Sequence, residues 1–211
     1  MKKNQNFNHP KAGSCITVDP IRNLDDIAAI RANLKSKPRD LALFTIGINT
    51  NLRIGDLLNL TVGQVELLQP GDTFGIRQQK RGKHGLRTVN QAVYTALQGW
   101  LEVHPAVLGS VTAEATVPYE EAALFCGKDG HTAITVPYAS RLIKTWCRKA
   151  RLKGNFAAHT LRKTFGYHSR VTFNMPLPVI TAAFGHSSQA TTLSYLCIQD
   201  SEVRELFMNE L

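Results

Sequence analysis

The feature that most constrains the fold is the helical apolar spacing that fills the last third of the chain. From Val136 onward, apolar residues recur at intervals of three and four, which is the period of a helix with one buried face. The pattern predicts helices over 138–152, 159–170, 177–184 and 189–197, broken at Gly185, and a last helix from Ser201. Everything after Val136 is therefore predicted to be helical.

Shorter helices are predicted before this region. Asn23 precedes a helical apolar pattern, Pro38 marks the start of a second helix, and a third covers 54–60. Asn90 is predicted to cap a fourth helix, whereas 104–122, which contains two prolines, is predicted to be a loop.

A small sheet is predicted between these helices. The segments 65–68, 74–79 and 86–89 have the composition of strands, and the turn 80–85 between the last two contains three Lys or Arg residues. Residues 124–125 predict one more short strand. The predicted fold class is mainly α with a small three-stranded antiparallel β-sheet (α+β).

The basic charge of the chain is confined to one stretch. The net charge is +9, and the seventy residues from Gly130 to Gln199 contain nine Lys or Arg and no Asp or Glu. This acid-free stretch accounts for the whole excess, because the other 141 residues sum to about zero. A local basic surface favours a nucleic-acid partner. No apolar run is long enough to span a bilayer, and the four cysteines have no disulfide or zinc spacing. These features predict a cytoplasmic protein with reduced thiols.

Arg53 stands between two apolar helices, in the sequence Asn51-Leu52-Arg53-Ile54-Gly55-Asp56. An arginine in apolar surroundings has to be paired or used, because burial of an unpaired charge is unfavourable. Asp56 follows one helical turn later and could orient it. Two interpretations remain open here, a structural Arg–Asp pair and a functional guanidinium.

Lys80 lies where a predicted strand enters the basic turn. One interpretation is a solvated hairpin that touches phosphates without specificity. The other is that Lys80 enters a groove and protonates a leaving oxygen.

The acid-free stretch also holds candidate catalytic groups. His159 and Arg162 are three residues apart and share a helical face, His186 follows Gly185 at a helix break, and Tyr195 comes nine residues later. Each histidine alone could be a satisfied structural group, and Tyr195 alone an ordinary half-buried aromatic. Histidines and cysteines match no zinc motif and the stretch has no carboxylate for magnesium, so no metal or other cofactor is predicted.

Together, the order and spacing of these residues resemble the tyrosine recombinase (phage integrase) family, over about residues 20–211 and most specifically over 50–60 and 158–195. The resemblance implies the fold of the family's catalytic domain. It also implies a phosphate-activating set and a tyrosine nucleophile, which in this chain are Arg53, Lys80, His159, Arg162 and His186, with Tyr195 as the nucleophile. Lys83 on the same hairpin is the alternative to Lys80.

The resemblance further implies strand exchange through a 3′-phosphotyrosine, without metal or ATP. The implied partners are double-stranded DNA, further copies of the chain in a tetrameric synapse, and accessory DNA-bending proteins, with no membrane; the implied location is the cytoplasm, at the nucleoid when bound to DNA. The expected DNA contacts are Arg77, Arg81, Lys83, Arg87, Arg141, Lys144, Arg148, Lys149 and Lys163.

The expected organisation is a flexible basic arm (1–18), a catalytic domain (19–199) and a C-terminal helix that docks on a neighbouring protomer (200–211). About twenty residues precede the first helix, as in the short recombinases that invert fimbrial promoter switches or in a catalytic domain cut from a longer integrase. Two other functions are also compatible with the sequence: a DNA-binding regulator of the same fold without turnover, and relaxation of DNA as by a type IB topoisomerase.

Overall fold

A computed structural model describes residues 17–77, 84–109, 118–198 and 200–210 of the chain. Within these ranges it contains ten α-helices and two β-strands, which confirms a mainly helical class with a small antiparallel sheet. The elements in chain order are α1 (Leu24–Leu34), α2 (Pro38–Asn49), α3 (Ile54–Leu58), β1 (Thr73–Arg77), β2 (His84–Thr88), α4 (Gln91–Leu101), α5 (Pro105–Gly109), α6 (Val136–Lys149), α7 (His159–Val171), α8 (Leu177–Phe184), α9 (Gln189–Leu196) and α10 (Asp200–Leu206).

The local sequence explains where several helices begin. The side chain of Asn23 accepts a hydrogen bond from the backbone N–H of Asp25 at the start of α1. Asn90 caps α4 in the same way through the N–H of Val93, and Pro38 occupies the first turn of α2. Because the first N–H groups of a helix have no partner within it, such residues fix its start. The predictions made from Asn23, Pro38 and Asn90 are confirmed.

Helix α2 is the centre of the main hydrophobic core. Its residues 42–48 are all buried, and it packs against α1, α4 and α7. Phe44 of α2 meets Trp146 of α6 edge to face, with the ring centroids 6.0 Å apart. Since α2 is enclosed on several sides, the segment that follows it, 50–52, is also buried and is positioned by the core.

A second, smaller apolar cluster lies among the C-terminal helices. Phe184 of α8 and Leu196 of α9 are buried, and Phe165 and Tyr195 pack against them. Gly166 of α7 faces this cluster: a Cβ atom built there would lie 3.0 Å from Cζ of Phe184 and 3.3 Å from the carbonyl oxygen of Tyr195. The absence of a side chain therefore lets α7 approach α8 and α9 closely.

The predicted three-stranded meander is wrong, because the described residues form a sheet of two strands, β1 and β2. The segment 65–68 is part of a series of turns, in which the N–H groups of Val65 and Glu66 both bond the carbonyl of Val62. In a strand, Val65 and Leu67 would face the same side. Here Val65 is buried and Leu67 is 83% exposed, so the apolar residues belong to a turn.

Two further predictions are corrected between α4 and α6. The predicted loop 104–122 contains the short helix α5 and a 3-10 turn over Tyr119–Glu121, while 110–117 lie outside the described residues. Residues 124–125 form a turn between two isolated bridges rather than a strand. Both are buried, whereas a strand at a surface would alternate.

The ends of the chain differ in what is described. Residues 1–16 of the predicted arm lie outside the described residues. The predicted last helix is confirmed as α10, which begins one residue earlier than expected. No helix in the described part of the chain is both long and apolar enough to cross a membrane.

Candidate active site

Three segments meet around the guanidinium of Arg162, which is 2% exposed. Its Nη1 donates to the carbonyl oxygen of Asn51 at 2.5 Å, and its Nη2 donates to the carbonyl oxygen of Phe184 at 3.1 Å. Its central carbon lies 4.8 Å from the ring centroid of Phe184 and 5.7 Å from that of Tyr195. Arg162 therefore joins the segment after α2, helix α7 and the α8–α9 region.

The electrostatics of this site favour an anion. Burial is the main cause that lowers the pKa of Arg162, to about 10, and the cations of Arg53 and Arg87 lower it further. Tyr195 and Asp56 act in the opposite direction. The Nε atom of Arg162 is buried without a hydrogen-bond partner in the described part of the chain. The site still carries its positive charge at neutral pH and would be stabilised by an arriving anion.

Arg53 stands at the N-cap position of α3, directly after the buried segment. Its Nη1 lies 3.8 Å from Oδ2 of Asp56; the Arg53 side chain is 27% exposed and the Asp56 side chain 6%. The predicted one-turn pairing is thus present. It leaves the guanidinium partly accessible, in electrostatic contact with Arg162.

The turn after α8 brings His186 next to Tyr195. Gly185 ends α8 in the left-handed conformation, with φ of 64°. The ring centroids of His186 and Tyr195 are 5.2 Å apart, and Nδ1 of His186 lies 3.0 Å from Oγ1 of the buried Thr192. Phe184 contacts both rings, with centroid distances of 5.1 Å and 5.2 Å. Tyr195 is half-buried near the end of α9.

His159 is the first residue of α7 and is exposed, one helical turn before the buried Arg162. The helix thus presents one group to the surface and one to the interior. Lys80, Arg81 and Lys83, together with the side chain of Arg77, lie outside the described residues, and Arg77 and His84 form the last pair of the β1–β2 ladder before that segment.

The predicted DNA contacts on α6 lie on its open side. Arg141, Lys144, Arg148 and Lys149 are exposed, and the opposite side buries the aromatic core residue Trp146. Lys163 of α7 is half-buried. The cations of the acid-free stretch are not all unpaired, however. Arg170 forms two hydrogen bonds, of 2.6 Å and 3.0 Å, with Glu202 of α10, an acid from outside the stretch.

Sequence reasoning underestimated Arg87 of β2, which it placed only among the DNA contacts. The Arg87 side chain is half-buried, and its Nη1 donates to the carbonyl of Leu86 at 2.8 Å. The pKa of Arg87 is lowered, mainly by burial; the nearby Asp56 raises it and Arg53 lowers it further. Because Arg87 in turn lowers the pKa of Arg162, it lies close enough to act on the charge of that group. The period-two alternation of a strand could have indicated that Arg87 points away from the exposed Leu86.

Asn51 was missed entirely as a site residue. It is 1% exposed, has a φ of 57°, and donates from Nδ2 to the carbonyl of Ala183 at 2.8 Å. The signal available in the sequence was an asparagine two residues before Arg53, between two apolar segments. No group of three or more His, Cys, Asp or Glu side chains arranged to hold a metal ion occurs among the described residues.

The chain is similar in sequence to known integrases and recombinases. The chain is 28% identical over 195 residues to the probable integrase/recombinase YoeC of Bacillus subtilis, covering 90% of this chain and 95% of that protein. It is 28% identical over 170 residues to tyrosine recombinase XerC of Caldanaerobacter subterraneus, covering 80% of this chain and 44% of that protein. The chain thus spans nearly all of the first relative and less than half of the second.

Solved structures share the fold. The XerA recombinase superimposes with a TM-score of 0.72 at 22% identity, over 95% of this chain and 68% of that one. The XerH site-specific recombinase, solved bound to its difH substrate after cleavage, gives a TM-score of 0.70 at 21% identity over 92% and 53%. A profile of the phage integrase family matches residues 21–202. The chain therefore belongs to the phage integrase family, the tyrosine-type site-specific DNA recombinases.

Proposed function

We propose that this chain breaks and rejoins double-stranded DNA through a covalent phosphotyrosine formed by Tyr195. The observation that carries the proposal is the position of the Tyr195 ring, 5.7 Å from the buried Arg162 guanidinium and 5.2 Å from the His186 ring. A phosphate at this place would have a nucleophile on one side and a desolvated cation on the other.

In the first step, the hydroxyl oxygen of Tyr195 attacks phosphorus and the bond from phosphorus to the 5′-oxygen breaks. The tyrosine proton passes toward a histidine or water, and Lys80 donates a proton to the departing 5′-oxygen. The products are a 3′-phosphotyrosine and a free 5′-hydroxyl. The attack of a partner strand's 5′-hydroxyl on this link restores tyrosine, so the number of phosphodiester bonds is conserved and no ATP is needed. In this proposal the arginines and Lys80, rather than a metal, act on the phosphate.

The arginines act on the charge of the transition state. Arg53 and Arg162 neutralise the non-bridging oxygens, because planar guanidinium groups bind phosphate with two donors and are already in place before the reaction. Burial lowers the pKa of Arg162, and repulsion from Arg53 and Arg87 lowers it further; a bound phosphate would relieve that repulsion. His159 and His186 position the phosphate; Nδ1 of His186 is engaged with Thr192, and we assign its Nε2 to the phosphate.

The general acid is assigned from the family resemblance rather than from geometry. In the sequence, Lys80 directly follows the predicted strand 74–79, and Lys83 in the same predicted turn is the alternative. The exposed cations of α6, together with those of the hairpin, would hold the DNA backbone. In this organisation 19–199 form the catalytic domain and 1–18 a basic arm.

We extend the proposal to a tetramer on DNA, with accessory DNA-bending proteins at the site and action in the cytoplasm. Helix α10 is attached to its own domain by the Arg170–Glu202 pair. Its apolar residues remain outside, with Val203 47%, Leu206 66% and Phe207 81% exposed. This exposed apolar surface supports the proposed docking of residues 200–211 on a neighbouring protomer.

The test is covalent capture on a nicked suicide duplex made from the flanking inverted repeats of the native locus. Wild-type protein should form a protein–DNA adduct that protease removes and that chelator does not prevent. Tyr195→Phe removes one oxygen and little packing, so it should fold and bind DNA but form no adduct. A protease-sensitive adduct with Tyr195→Phe would exclude this nucleophile, and cleavage abolished by EDTA would exclude the mechanism.

A further inference from the structure

We infer that Asn51 is a positioning residue for the reaction, which holds the Arg53 segment and the α8–α9 region at the separation that orients Arg162. This inference rests on the proposed DNA cleavage. It assigns a role to a side chain that would not itself touch the phosphate.

The contacts form a closed circuit. Nδ2 of Asn51 donates to the carbonyl of Ala183 at 2.8 Å, and the carbonyl of Asn51 accepts from Nη1 of Arg162 at 2.5 Å. Nη2 of Arg162 donates to the carbonyl of Phe184 at 3.1 Å, and Phe184 is covalently joined to Ala183. Three hydrogen bonds and one peptide link therefore connect segments that are 111 and 132 residues apart in the chain.

The residue type at position 51 follows from two requirements. A φ of 57° lies in the left-handed region, which glycine and asparagine tolerate better than other residues. A glycine could adopt this backbone but could not reach Ala183. Asparagine satisfies both requirements, although its buried Oδ1 has no hydrogen-bond partner in the described ranges. A buried polar atom left unsatisfied is unfavourable, so the amide is retained here against a penalty.

These contacts lie next to two of the proposed catalytic residues. Arg53 follows Asn51 by two residues, and His186 follows Phe184 by two residues. Loss of the bond to Ala183 would let these segments separate, and both carbonyls that orient Arg162 would move with them. Because transition-state stabilisation depends on the placement of the donors, the expected effect is on the rate with bound DNA rather than on DNA affinity.

The experiment measures single-turnover adduct formation at saturating suicide duplex, with the dissociation constant and Tm measured in parallel. Asn51→Gly keeps the backbone conformation and removes the amide, and it should slow cleavage by about 10- to 100-fold while DNA affinity stays at the wild-type value. Asn51→Asp keeps the size but replaces the donor with a charged acceptor, and it should be slowed at least as much. The matched control is Asn174→Gly, since Asn174 is also left-handed, with φ of 49°, but is exposed.

A second readout separates positioning from general stability. A scissile methylphosphonate has one less negative charge to stabilise, so the ratio of wild-type to Asn51→Gly rates should shrink on it if Asn51 acts through Arg162. The same ratio of wild-type to Asn51→Gly rates on both substrates would contradict the inference. Cleavage by Asn51→Gly at the wild-type rate would also contradict it. If the glycine variant does not fold, cleavage by Asn51→Asp at the wild-type rate would contradict it instead. Wild-type protein that forms no adduct would overturn the proposed function and this inference with it.

Discussion

Arg162 and His104 are both polar side chains enclosed by the protein, yet only one of them is satisfied. His104 is fully buried; its Nε2 lies 3.1 Å from the carbonyl of Ala123, and its Nδ1 accepts the N–H of Ala106 at 3.2 Å. This pairing assigns the proton to Nε2. Arg162 uses two nitrogens on backbone carbonyls but keeps a buried Nε without a partner among the described residues.

The difference separates a buried polar group that the fold satisfies from the one that we propose binds phosphate. Burial lowers the pKa of His104 below its ordinary value, which favours the neutral ring at neutral pH, and its backbone hydrogen bonds engage both ring nitrogens. Burial also lowers the pKa of Arg162, but the group keeps its charge and has other cations as neighbours. A charge that the fold leaves uncompensated is the better indicator of where a ligand binds.

The largest expected effect comes from replacing the planar guanidinium of the buried Arg162 with an ammonium group. Arg162→Lys keeps the positive charge but removes the planar fork, so cleavage on the suicide duplex should fall by about 10²- to 10³-fold. Single-turnover adduct formation measures this. The matched control is Arg31→Lys on α1, a half-buried arginine outside the predicted DNA contacts, which should leave the rate unchanged. Equal rates for Arg162→Lys and wild type would mean that the guanidinium does not act on the reacting phosphate.

The next effect concerns stability and belongs to His104. Its pKa is lowered in the folded protein, so below the ordinary value of about 6.5 the unfolded chain binds a proton that the folded chain does not. Stability should therefore be fully present above about pH 6.5 and decrease as the pH falls below it, with a slope of at most about 1.4 kcal/mol per pH unit from this group.

Urea unfolding between pH 7.5 and 5 measures that slope. The comparison is with His104→Gln, which cannot titrate and should show a shallower pH dependence through the same range. Parallel curves for the two proteins would show that His104 does not contribute to acid sensitivity.

The smallest effect is expected from charges that water already solvates. Arg148 and Lys149 are exposed on α6, and replacing both with Ala should lower the slope of log K against log salt by roughly 0.9 for each phosphate that the protein no longer neutralises. Binding to all DNA sequences should weaken alike, as measured by fluorescence anisotropy at several salt concentrations. Lys35→Ala, an exposed lysine outside the acid-free stretch, is the control. An unchanged slope in the double variant would place α6 away from DNA.

The sequence was sufficient for elements whose signals are local. Asn23, Pro38 and Asn90 mark helix starts, and Gly185 marks a helix end, because a cap or a left-handed residue acts on its immediate neighbours. The meeting of Arg162, His186 and Tyr195 could be expected only from the family resemblance. The helical period of a sequence predicts which face of a helix is buried, but it does not predict which helices pack together.

The errors arise where tertiary contacts decide. Val65 and Leu68 are apolar residues that suggest a strand, but the segment is bent by turns and only part of it reaches the core. The role of Asn51 depends on Ala183, which is 132 residues away. Arg87 was underestimated because its nearness to Arg53, Asp56 and Arg162 arises only in the folded chain. Such information is held in the packing rather than in any window of sequence.

At Gly166, close packing rather than a reactive group determines how the helices of the site are placed. Its missing side chain lets α7 lie against the backbone of Tyr195, and even an alanine would force its neighbours to give way by a few tenths of an ångström. A substitution there is thus expected to change the reaction rate at a position that holds no reactive group. For an engineer, the same position is a means of attenuating the enzyme in fine steps while every polar atom of the site is retained.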